Sequence, residues 1–269
     1  YDRQRILARA PISSISLQTK LECKYRGVLL GGCIGDVLGS QNENVSFDNI
    51  MERGTKKLFP KPPNYTDDTE MTIILARYLI SRQGKPIIIN EIHEEYRKVI
   101  MSSMRGYSAK TKSILSNYNR FLTVGYSDHN GGLMRISPLT FIRFKTSEAL
   151  RTEIANANYC THGGSKDVID TDHVFILLLN ALIHDRLVTV DKVYEYVLNL
   201  AVELRNSTLF SLVKLISTLS YTKGENITKS IFGFDMFQIK AIHCFICALY
   251  CFTIHFDDPV NSIITAANI

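Results

Sequence analysis

The stretch that decides the fold runs Tyr65-Thr66-Asp67-Asp68-Thr69-Glu70-Met71-Thr72-Ile73-Ile74-Leu75-Ala76-Arg77-Tyr78-Leu79-Ile80-Ser81-Arg82. Behind its polar head, Met71, Ile74, Leu75, Tyr78 and Leu79 follow the i, i+3, i+4, i+7, i+8 stripe of an amphipathic helix. The same period is readable over roughly 21–30, 88–101, 147–159, 172–184, 191–204 and 237–254. Ile87, Ile88 and Ile89 are β-branched enough for a short strand, yet Asn90 followed by Glu91 reads as a helix N-cap with an acidic first turn. No set of alternating strands accompanies these helices. No repeat, low-complexity block or Gly/Ser linker divides the chain. The expected fold class is therefore all-α, one compact multi-helix domain over 21–269 behind an N-terminal extension, 1–20.

Composition agrees. The 269 residues are 45% hydrophobic and 21% charged, which excludes disorder and a disulfide-stapled miniprotein and is enough for one large core. Net charge is +5 and is not gathered into a basic tract, so nucleic acid is not an expected partner. No apolar run reaches the roughly 18–20 residues needed to span a bilayer. The N-terminus has no signal-peptide core. Six scattered cysteines do not form a disulfide framework. These features together point to an intracellular, cytoplasmic monomer without a membrane partner.

Thirteen of the fifteen glycines lie between Gly27 and Gly164, so shaped loops, and with them chemistry, are expected in the first part of the chain. Three clusters stand out there. The first is Thr66-Asp67-Asp68-Thr69, after the rigid Pro60-Lys61-Pro62-Pro63 turn. Adjacent carboxylates repel, so either Asp67 or Asp68 caps the helix or the group is a hard-cation site, carboxylate and hydroxyl oxygens being what Mg²⁺ or Mn²⁺ prefers. The second is Gly31-Gly32-Cys33-Ile34-Gly35-Asp36-Val37-Leu38-Gly39 with Glu43 beyond it. Glycines at 27, 31, 35 and 39 form a smooth stripe that would let another helix approach, but Asp36 and Glu43 are not explained by packing. A glutamate past a Gly-ended helix can face a cavity and move a proton. The third runs from Gly125-Tyr126-Ser127-Asp128-His129-Asn130 through Gly131-Gly132-Leu133-Met134-Arg135. Its small residues let backbone N–H groups approach an anion such as a diphosphate, helped by a helix expected to start near Gly132, although an ordinary Asn-Gly turn fits the local sequence equally well.

Taken in order, these elements resemble the ADP-ribosylglycohydrolase family, which includes the dinitrogenase reductase activating glycohydrolases. The resemblance rests on Gly35-Asp36-Val37-Leu38-Gly39 with Glu43, Thr66-Asp67-Asp68-Thr69 with Met71, Asn130-Gly131-Gly132-Leu133-Met134-Arg135-Ile136-Ser137-Pro138-Leu139, and Thr161-His162. It implies a compact all-α domain holding two Mg²⁺ (or Mn²⁺) ions and hydrolysing ADP-ribose from an ADP-ribosylated protein side chain or small molecule. By the same resemblance Thr66, Asp67 and Asp68 are metal ligands. Glu43 is the acidic residue near the anomeric carbon and acts with Asp68 in catalysis. Ser127, His129, Asn130, Gly131, Gly132 and His162 line the ADP-ribose site. His129 replaces the first Gly of the family's Gly-Asn-Gly, a side chain that narrows the distal ribose pocket.

The family completes its metal site with a Gly-Gly-Asp-x-Asp-Thr element. This sequence ends at Ile269, after an Asp258-capped, Pro259-led helix, where that element would begin. The reading is that the native chain continues; the alternative is a non-catalytic ADP-ribose-binding or structural member with an incomplete metal site. Asp170-Thr171-Asp172-His173 imitates the missing spacing but is expected to be the N-cap and first turn of the helix over 172–184. Cys244, Cys247 and Cys251 are expected to be small buried hydrophobes on a helix.

Overall fold

A computed structural model describes residues 17–43, 45–53, 64–116, 126–233 and 239–268. Residues 1–16 of the expected extension, the Pro60–Pro63 turn, Gly125, Phe237 and Ile269 lie outside them. Twelve α-helices make up the described chain: α1 (Leu17–Gly39), α2 (Phe47–Arg53), α3 (Asp67–Arg82), α4 (Ile89–Ile100), α5 (Ala109–Ser116), α6 (Ser147–His162), α7 (Lys166–Ile183), α8 (Val190–Glu203), α9 (Ser207–Ile216), α10 (Ile227–Phe232), α11 (Ala241–Ile254) and α12 (Pro259–Ala266). A 3₁₀ turn, Ser137–Phe141, precedes α6. Among the described residues there is no strand, only an isolated antiparallel bridge between His129 and Lys240. The all-α expectation holds. No described helix is long and apolar enough to cross a membrane.

Two apolar clusters share one helix. Met71, Leu75, Ile92, Tyr96, Leu139 and Ile154 centre the first, which draws on α3 to α6. Val193, Val197, Leu209, Val213, Phe245 and Ile246 centre the second, which draws on α8 to α11. α7 gives Ile169 and Ile176 to one and Val174 and Leu178 to the other, so it is covered on opposite sides. Burial on all sides is why the acidic tetrad on α7 is misread from sequence. The helix starts at Lys166, and Asp170, Thr171, Asp172 and His173 are buried in its body instead of capping a later start. Asp170 is paired in the interior with Arg151 at 2.6 Å, with Lys166, and with the Asn206 amide at 3.0 Å.

Three other local expectations change. α4 starts at Ile89 with Ile88 in the cap position, so Asn90 is inside the helix and caps nothing. No helix starts near Gly132; residues 130–135 form turns, closed by Met134 N–H donating to Asn130 O (3.1 Å) and Arg135 N–H to Gly132 O (3.2 Å). The Arg135 side chain of this segment is buried, 1% exposed. A Cβ on Gly27, Gly31, Gly35 or Gly39 would meet nothing within 4 Å, so among the described residues the glycine stripe is not a close helix contact. α1 is longer than the periodicity suggested, 23 residues, because its glycines hide the apolar period without stopping the helix. At the far end the expected cap is present: Asp258 accepts from Asn261 N–H, with Pro259 in the first turn of α12.

Candidate functional site

The C-terminal end of α1, the first turn of α3, the first turn of α5, the segment before the 3₁₀ turn and the end of α12 converge on a cleft of about 580 Å³. Its floor is built by one carboxylate. Asp36, on α1, accepts from Thr66 N–H (2.8 Å), Thr66 Oγ1 (2.5 Å), Thr69 N–H (3.2 Å) and Thr69 Oγ1 (2.6 Å). Helix starts leave backbone N–H groups without intrahelical partners, and a carboxylate satisfies them while facing the positive end of the helix dipole. The cap of α3 thus comes from another helix. Neither Asp67 nor Asp68 caps it, and Thr66 in the cap position makes no side-chain cap bond.

Freed from capping, Asp67 and Asp68 line the cleft. Burial is the main force raising both carboxyls, Asp67 to about 6 and Asp68 to about 7. Repulsion adds to it: Glu43 and Asp36 act on Asp67, and Asp67, Asp36 and Glu43 act on Asp68. Glu43 is exposed in the turn after α1. Glu70, the third acidic residue of this turn, faces elsewhere and accepts from Ser103 (2.6 Å) and Tyr107 (2.8 Å) hydroxyls. The neighbouring Asn42 amide donates to Ala267 O at 2.7 Å, which ties the turn to the end of α12.

Another wall is the segment 127–131. Asn130 N–H donates to Ile239 O (2.7 Å), Ala241 N–H to Asp128 O (2.8 Å), and Ser127 N–H to His162 O (3.3 Å), so the segment is clipped between the start of α11 and the end of α6. Lys240 pairs with Asp128 at 2.8 Å on its outer side. Ser127, His129, Asn130, Gly131 and His162 all reach the cleft. Gly131 packs so closely that a Cβ would lie 3.0 Å from His162 Cε1. Gly132 is different: it lies behind the wall, where a Cβ would meet Val168, Asp172 and Asn158 at 2.8–3.0 Å, so it serves packing and does not line the cleft. His129 is exposed at the rim.

Several lining residues escape sequence reasoning. Ser108, Lys110 and Thr111 reach the cleft from α5, a helix of 8 residues too short to show periodicity. The local signal was a Ser108 that accepts from Thr111 N–H at 3.1 Å in the manner of an N-cap. Cys244 also lines the cleft beside Asn130 and Asp68, its thiol pushed up to about 11 by burial. Cys247 and Cys251 are the buried hydrophobes expected.

The cleft therefore combines two kinds of lining. Glu43, Asp67 and Asp68 supply carboxylates, while the 127–131 segment, Lys110 and His162 supply neutral and cationic polar groups. Hard oxygen donors disfavoured as anions by burial and mutual repulsion are what a divalent cation relieves, and the Thr66 oxygen retains acceptor capacity while its hydroxyl hydrogen goes to Asp36. Among the described residues, however, no group of three or more His, Cys, Asp or Glu side chains is placed to hold a metal ion. The donors are right in kind and form only part of a coordination shell.

A model of the ADP-ribosylglycohydrolase family matches residues 17–269. A solved structure described as an "ADP-ribosylglycohydrolase-related protein complex" is similar over 94% of this chain and 82% of that one, with a TM-score of 0.66 at 20% identity, a likeness of fold. Among curated proteins none matches the chain.

Proposed function

The chain belongs to the ADP-ribosylglycohydrolase family, and from that premise we propose that it is a metal-dependent hydrolase that releases ADP-ribose from an ADP-ribosylated protein side chain or small molecule. The observation that carries this reading is the mixed lining of one cleft: carboxylates and anion-compatible polar groups within a single cavity of about 580 Å³. A nucleoside diphosphate with a terminal ribose has use for both. Its diphosphate suits the Gly131 segment and Lys110, and its distal ribose suits the carboxylates.

Asp67, Asp68 and Thr66 would hold two Mg²⁺ or Mn²⁺ ions in part, and when bound these supply Lewis-acid polarisation and charge neutralisation. Glu43 positions the attacking water, takes its proton as the new C–O bond forms, and the departing nitrogen or oxygen leaves with that proton as the glycosidic bond breaks. Cleavage of a glycosidic bond develops positive, oxocarbenium-like charge on the ribose, which Glu43, Asp67 and Asp68 stabilise by proximity. The 127–131 wall binds and orients the nucleotide, fixing the anomeric carbon over the carboxylates.

Release of ADP-ribose from ADP-ribosyl-arginine, ADP-ribosyl-serine and a small-molecule conjugate, with Mg²⁺ and with chelator, tests the proposal. Turnover with Mg²⁺ that disappears in Asp67→Asn and Asp68→Asn supports it; undiminished turnover in both variants refutes the mechanism. A second reading is ADP-ribose binding without catalysis. Calorimetric binding of ADP-ribose with no turnover of any conjugate selects that reading instead.

A further inference from the structure

We propose that Arg135 and Thr161 are positioning residues that lock the His162 imidazole in its Nε2–H tautomer, so that the neutral ring donates to the 127–131 wall of the cleft. The argument is a donor count along a buried chain. Arg135 has no acceptor capacity, so its bond to Thr161 Oγ1, 2.5 Å long, runs in one direction only. That guanidinium is held in place by Asn158 Oδ1 (3.2 Å), by Ala157 O (3.4 Å) and by the Tyr96 ring, 5.0 Å from its centre. Asn158 is itself oriented: its amide nitrogen donates to Asp172 Oδ2 at 2.6 Å, which turns its oxygen toward Arg135.

With a lone pair committed to Arg135, the Thr161 hydroxyl hydrogen has two destinations, His162 Nδ1 at 2.7 Å or Asn158 O at 3.3 Å. The shorter contact is a normal O–H···N bond and the longer one is weak. A cation donating to an oxygen polarises its O–H and makes that oxygen a poorer acceptor, so Arg135 favours Thr161 as the donor to the ring and disfavours a proton on Nδ1. Nδ1 is then an acceptor, and the ring proton resides on Nε2. That nitrogen would lie 3.2 Å from a Cβ on Gly131, on the side of the 127–131 wall, where the ring hydrogen-bonds to the His129 backbone, an acceptor that favours a proton on this side. The ring also stays neutral. It is buried, the charges acting on it, Arg135, His129 and Lys110, are all positive, and its pKa falls to about 3. Asp172 is separated from it by Asn158 and Thr161.

An N–H fixed on the His129 backbone holds the 127–131 segment against the end of α6 and excludes His162 as an acid or base. That this segment meets ADP-ribose rests on the functional reading above; the tautomer is a property of the free protein. Selective ¹⁵N labelling of histidine and long-range ¹H–¹⁵N NMR, with His162 assigned by loss of its signals in His162→Gln, tests it from pH 5 to 8. A pyridine-type Nδ1 and a protonated Nε2 that do not titrate are expected. Thr161→Ser retains the pattern, whereas Thr161→Val scrambles it and weakens ADP-ribose binding about fivefold, the equivalent of one neutral hydrogen bond. A protonated Nδ1 in the wild-type protein, or a ring that titrates near 6.5, overturns the proposal, and this measurement needs no variant to fold. The expected tautomer without ADP-ribose binding leaves the relay standing and refutes the ligand assignment.

Discussion

Replacing Asp36 by Ala isolates the device that builds the acidic part of the cleft. The carboxylate accepts four hydrogen bonds, two from backbone N–H groups at the start of α3 and two from Thr66 and Thr69 hydroxyls. Loss of a helix cap costs about 1 kcal/mol. Two part-buried hydroxyls deprived of a charged acceptor cost about 1 kcal/mol each, toward the low end because water can reach them. Against this stands the relief of repulsion, since Asp36 raises the pKa of both Asp67 and Asp68. Relief of that repulsion returns roughly 1 kcal/mol at a pH where both are ionised, the order of a like-charge contact in a solvated cleft. The net is a loss of about 2 kcal/mol, or a fall in Tm of roughly 4–8 °C for a domain of this size. Asp36→Asn, which keeps one acceptor oxygen, is expected to lose about half as much. Thermal melts by circular dichroism at pH 8, with hydrogen exchange at the Thr66 and Thr69 amides, measure both the global and the local effect. A Tm within 1 °C of wild type together with unchanged exchange at both amides would show that Asp36 does not hold the first turn of α3.

Three further outcomes follow from the same geometry. Gly132→Ala inserts a Cβ at 2.8 Å from Val168 Cγ1, 2.9 Å from Asp172 Oδ2 and 3.0 Å from Asn158 Oδ1, all in the interior. It is expected to destabilise by about 2–3 kcal/mol in denaturant melts. Gly131→Ala meets only the His162 ring, so calorimetry is expected to show weaker ADP-ribose binding with a change in stability under about 1 kcal/mol. Asp67 and Asp68 have folded pKa values of about 6 and about 7, above the ordinary carboxylate value of 3.8. Without cations, their stabilising contribution is present below pH 4 and is lost as pH rises through 6–7. Divalent cations bind the ionised forms, so the Tm gain from Mg²⁺ is expected to be small at pH 5.5 and to grow to a plateau by pH 8; a pH-independent gain contradicts cation binding at this pair.

Much of the molecule was legible in the linear sequence because the information was local. The apolar stripe Met71, Ile74, Leu75, Tyr78, Leu79 is the buried face of α3, and the Asp258-Pro259 start of α12 was readable for the same reason. Glycine-rich α1 and the short α5 were harder to read, one because its glycines carry no hydrophobic signal and the other because 8 residues complete little more than two turns. The tetrad Asp170-Thr171-Asp172-His173 misled because a polar group on α7 normally marks a helix start. Here the partners that let it be buried, Arg151, Asn158 and Asn206, lie elsewhere in the chain.

The sequence alone determined which residue types are available for chemistry: adjacent carboxylates after a hydroxyl, a Glu past a glycine-rich helix, and a glycine pair following His129-Asn130. Tertiary structure alone decided their duties. Asp36, 30 residues from Thr66, takes over the capping that Asp67 and Asp68 were candidates for and so leaves those two facing the cleft. Gly131 borders His162 at the wall while Gly132 packs behind it. A hydrogen bond has a length and a direction but no memory of sequence separation, so which carboxylate caps and which faces a ligand is settled only when the helices pack.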